Sequence, residues 1–97
     1  MNMTTQYIKL KNLININTQK EVCPQYNNRK VDYSRSQIQV DKPLKIVDTD
    51  GIFFSHEMVE EIFEDNMYRF EVMTSRKIWF FEYCDENWNR IGGKING

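Results

Sequence analysis

The chain has no alanine, only three leucines (Leu10, Leu13 and Leu44) and four glycines, three of them within the last six residues. The strongest helix formers are therefore scarce, which excludes a helical bundle. No glycine-rich loop is available to cradle a phosphate group. Histidine occurs once, at His56, and the two cysteines, Cys23 and Cys84, lie far apart with no CxxC spacing, so neither a zinc site nor a redox motif is implied. No GxSxG motif surrounds Ser34, Ser36, Ser55 or Ser75, and a lone histidine beside Glu57 reads as a surface residue rather than a base. No apolar run approaches the roughly 20 residues that span a bilayer, and the first residues do not read as a secretory signal. These absences predict a cytoplasmic, non-enzymatic protein with reduced thiols that holds no metal or cofactor.

What the 97 residues do contain is β-formers: ten isoleucines, six valines and thirteen aromatics. The predicted fold is mainly β, a small antiparallel meander or partly open barrel with at most one short helix. One domain over residues 1–91 is expected, with a disordered tail over 92–97 and a frayed start over 1–6.

The organising stretch is Met67–Tyr83. Tyr68, Phe70 and Val72 alternate with Met67, Arg69, Glu71 and Met73, the period of a strand with one buried face. Lys77–Tyr83 is apolar on both faces, Ile78 and Phe80 on one and Trp79, Phe81 and Tyr83 on the other, as for an interior strand. A two-residue loop at Ser75-Arg76 pairs Thr74 with Lys77, Val72 with Trp79, Phe70 with Phe81, Tyr68 with Tyr83 and Arg69 with Glu82. Aromatics then meet on one face and opposite charges on the other, each pair contributing about 0.2–1 kcal/mol.

Upstream, Tyr7–Ile16 alternates as a strand, with Ile8, Leu10, Ile14 and Ile16 on one side, Tyr7, Lys9, Lys11 and Leu13 on the other, and a bulge marked by Asn12. Asn17-Thr18-Gln19 turns into a short return segment through Val22, ended by Pro24. Residues 24–36 read as a loop. Ser36–Val40 and Leu44–Val47 read as short strands, and Asp50-Gly51 as a primed hairpin turn pairing Val47 with Phe54. In Ser55–Glu64, Met58, Val59, Ile62 and Phe63 fit one face of a helix capped by Ser55. They also fit a strand, the reading that the β-rich surroundings favour. Asp65-Asn66 is expected to turn the chain into the central run.

Charge is unevenly distributed. Residues 1–47 carry eight Lys and Arg against three acids (+5), and residues 48–97 carry five against eleven (−6). The simpler account is mutual neutralisation on folding; the functional one is a dipolar surface. The candidate partner-binding residues are the acidic block Glu57, Glu60, Glu61, Glu64 and Asp65, with Trp79 and Phe81 as aromatic anchors. The same residues also have a simpler account, a solvated acidic face and buried rings. The alternative reading is nucleic-acid binding by Lys9, Lys11, Arg29, Lys30 and Arg35 with Tyr26 and Tyr33 between them.

The pattern Ser55, Met58-Val59, Ile62, Phe70, Val72, Thr74-Ser75, Ile78 and Phe80 resembles small phage- and mobile-element-encoded barrels of the Src-homology-three type, over about a third of the chain. That resemblance implies a class of binders that block host defence or nuclease complexes, including anti-CRISPR inhibitors, in a bacterial cytoplasm. It identifies no site residues. The implied partner is a host protein or ribonucleoprotein complex, with homodimerisation through a two-faced apolar strand as another outcome.

Overall fold

A computed structural model describes residues 7–31, 35–47, 55–85 and 87–89. The expected frayed start, Tyr33, the Asp50-Gly51 hairpin turn and the tail over 92–97 lie outside the described residues.

The described chain is mainly β. Strands β1 (Tyr7–Asn15), β2 (Glu21–Val22), β3 (Arg29–Val31), β4 (Glu61–Asn66), β5 (Arg69–Met73) and β6 (Lys77–Cys84) form one antiparallel sheet, and its helical turns are two 3₁₀ segments of three residues each. The order is β2-β1-β6-β5-β4, with β3 also pairing to β1, and the sheet is not closed into a barrel. Strands β4, β5 and β6 make a meander. The first strand then docks on the free edge of the last, so β6 is interior, as its two-sided apolar sequence requires.

The β5–β6 register is the one expected from the side chains: Arg69 faces Glu82, Phe70 faces Phe81 and Val72 faces Trp79. The Thr74 amide bonds the Lys77 carbonyl at 2.9 Å, closing the two-residue loop.

In β1 the register shifts between Leu10 and Asn12, which makes Lys11 an extra residue opposite β6. The expected bulge is there, and it corrects the expected faces. Downstream of it the alternation inverts, so Leu13, not Ile14, joins Ile8 and Leu10 in the core.

The loop expected over 24–36 also contains structure. Strand β3 pairs Lys30 with Lys9 and Val31 with Ile8. The two short strands expected at 36–40 and 44–47 are absent; that stretch covers the inner face of the sheet, burying Ile38, Leu44 and Ile46. It holds to residues 57–59 by the Asp41, Val59 and Leu44 amides. Pro43 between them has no N–H to extend a ladder.

Residues 61–66 are strand rather than helix, and the turn into β5 is Met67-Tyr68, not Asp65-Asn66. A second bulge explains the offset: β4 advances three residues from Phe63 to Asn66 while β5 advances two, from Glu71 to Arg69.

The core lies on the inner face, where Phe70 stacks on Phe81 at 5.0 Å between ring centres. Cys84 is buried, and burial pushes its thiol pKa up, which makes it a poor nucleophile. No helix among the described residues is long and apolar enough to cross a membrane.

Candidate protein-binding surface

Trp79 and Phe81, 3 % and 1 % exposed, belong to the core. The simpler account holds for both rings: they face inward on the interior strand, so neither is presented to a partner.

The acidic block divides into two groups. Glu57 is turned inward, where its carboxylate accepts hydrogen bonds from Thr74 Oγ1 and Lys77 Nζ. The Thr74 hydroxyl in turn accepts from Trp79 Nε1 at 3.0 Å. This chain of bonds ties the start of the acidic segment to the β5–β6 loop.

Glu64 is also engaged. Two residues beyond Ile62, which packs against the core, and itself half exposed, it accepts from Arg35 Nε at 2.7 Å and from the Tyr83 hydroxyl at 3.3 Å. Arg35 also donates to the Ile38 carbonyl at 3.0 Å and lies over the Phe70 ring, 5.3 Å from its centre. Burial, reinforced by the Glu64 charge and opposed by Arg35, pushes the Tyr83 phenol pKa up. Arg35 is therefore removed from the basic set expected to meet nucleic acid and serves as an internal tie between the two halves of the chain. Nothing local in the sequence signals these bonds, because their partners lie 17 to 29 residues apart.

Glu60, Glu61 and Asp65 remain exposed. They lie on or beside β4, the last strand of the sheet, and among them stand side chains that composition alone would have placed inside: Met58, Phe63 and Met67 are 48 %, 41 % and 72 % exposed. They are spread along the stretch: Met58 is bridged to Pro43 ahead of β4, Phe63 lies within β4 and Met67 lies in the turn after it.

Asp65 also acts on Glu71. Burial, then the hydrogen bond and charge of Asp65, push the Glu71 carboxyl pKa up, against the pull of Arg69. A carboxyl whose folded pKa is raised favours folding at low pH, and that contribution is lost as pH rises from about 4.5 through the folded value. Glu71→Gln is therefore expected to melt higher than wild type at pH 7, with the difference disappearing below about pH 4.5. Thermal melts at the two pH values check it.

Among the described residues no group of three or more His, Cys, Asp or Glu is placed to hold a metal ion. No protein-family model, curated protein or solved structure matches the chain.

Proposed function

We propose that this chain is a non-enzymatic protein-binding module that engages its partner along β4. The observation that supports the reading is that exposed Phe63, and exposed Met67 in the turn after β4, share the stretch 60–67 with exposed Glu60, Glu61 and Asp65. The apolar side chains supply area to bury at an interface, and the carboxylates of Glu60, Glu61 and Asp65 set the sign of the partner; Glu57 and Glu64 are already offset by Lys77 and Arg35.

A second copy is a poor occupant. Pairing two β4 strands would bring Glu61, Glu64 and Asp65 of one near the same acids of the other, and like charges across a strand pair are destabilising. The fitting partner is basic, such as a nucleic-acid-binding groove on another protein. In the setting implied by the resemblance to phage and mobile-element proteins, that partner is a host defence or nuclease complex.

The test is capture of partners by the tagged protein beside a Glu60→Lys/Glu61→Lys variant, with and without nuclease. Glu64 is left unchanged, because reversing it would set two cations together at Arg35. A protein retained after nuclease and lost with the variant supports the reading. Recovery of nuclease-sensitive material alone, indifferent to the variant, overturns it.

A further inference from the structure

The outer face of the sheet, at the edge opposite β4, gathers positive charge. Register puts Lys9 of β1 directly opposite Lys30 of β3. Both alternate outward, since their neighbours Ile8, Leu10 and Val31 are buried on the inner face. Lys11, two residues on from Lys9, is the half-buried bulge residue of the same strand. None of the three lysines makes an ion pair with another described residue.

Two rings border this cluster. Trp88 carries Lys30 over its face, 5.6 Å from the ring centre, and meets Tyr7 edge-on at 5.1 Å. Tyr7 stands two residues from Lys9 on the same strand. Among the described residues two carboxylates stand near the cluster: Glu82, 5 % exposed and in register between Lys9 and Arg69, so that a cation lies on each side of it, and exposed Asp85, whose carbonyl accepts from the Trp88 amide.

A like-charge pair placed directly across two strands opposes folding unless something neutralises it. Three lysines beside two half-exposed rings provide what an unpaired nucleic-acid strand requires: cations for successive phosphates and π faces for splayed bases. We infer that the Lys9–Lys11–Lys30 cluster, with Tyr7 and Trp88, is a binding site for single-stranded nucleic acid. It is distinct from the acidic β4 edge and does not depend on it. Arg29 and Arg35 do not belong to this site. Arg29 is opposite the inward-facing Leu10, where its Nε donates to the Gln25 carbonyl, and Arg35 is bound to Glu64.

The test is fluorescence anisotropy with a labelled oligothymidylate, a duplex of equal length and a polyglutamate peptide. Three phosphate contacts on a single strand give a log–log salt slope near −2, so the oligothymidylate Kd should rise about 20-fold between 50 and 200 mM salt. In Lys9→Gln/Lys30→Gln one contact remains and the rise should shrink to about threefold. Trp88→Leu should weaken binding about tenfold with the slope unchanged, because stacking is not ionic. Lys45→Gln, an exposed lysine in the segment covering the inner face, is the control and should bind as wild type. Far-UV circular dichroism confirms that each variant is folded. An affinity indifferent to both the lysine pair and Trp88 would overturn the site. So would equal binding of the duplex or of polyglutamate, the latter pointing to an acidic protein instead.

Discussion

Phe81→Ala should destabilise the protein by about 3–5 kcal/mol, the usual cost of truncating a fully buried phenylalanine. The ring is 1 % exposed at the middle of β6, stacked on Phe70 and flanked by Leu10 of β1 in register. Removing it opens a cavity where the two halves of the sheet meet, and the surrounding strands, pinned by their ladders, can collapse only partly. Against a total stability of about 5–15 kcal/mol for a domain this size, much of the folding free energy would be lost. Urea denaturation followed by tryptophan emission measures the effect. A loss below about 1 kcal/mol would mean that the ring does not belong to the core and would restore it as an interface residue.

Thr74→Val should cost about 1–3 kcal/mol although it keeps the shape of the side chain. Thr74 is fully buried, and its hydroxyl is the joint between two groups: it donates to Glu57 and accepts from Trp79 Nε1. Valine leaves the indole N–H buried without that acceptor and the carboxylate with one donor fewer. Thr74→Ser, which retains the hydroxyl, should recover most of the polar part and lose only a methyl contact. The same denaturation experiment compares the two, and equal losses for valine and serine would show that packing, not the hydroxyl, holds this joint.

These two sites also mark how far sequence reasoning reached. The β5–β6 hairpin was legible because its constraints are local: alternation sets the faces, and a two-residue loop lets charges and aromatics agree on one register. The Tyr7–Asn15 strand and its bulge were legible for the same reason. Ile8 and Leu10 were placed on the buried face, but Leu13 was not, because an extra residue at Lys11 inverts every face beyond it, and only pairing with β6 locates that residue. The turn at Met67-Tyr68 was misplaced for a related cause. Asp65-Asn66 has turn chemistry, but the β4 bulge absorbs those residues and carries the strand on.

The candidate site was legible as a charge and opaque as a geometry. Composition gave the acidic block and the basic first half, yet it could not tell Glu57 and Glu64, engaged by Lys77, Thr74, Arg35 and Tyr83, from exposed Glu60 and Glu61. Nor could it place Lys30 beside Lys9, since that pairing depends on β3, a strand of three residues.

By itself, then, the sequence determined the β class, the interior strand and the hairpin register, because alternation and turn length act between near neighbours. Which charges are spent inside the fold and which remain on its two opposite edges was decided by the tertiary structure, because ion pairs form between side chains that only the folded sheet brings within reach.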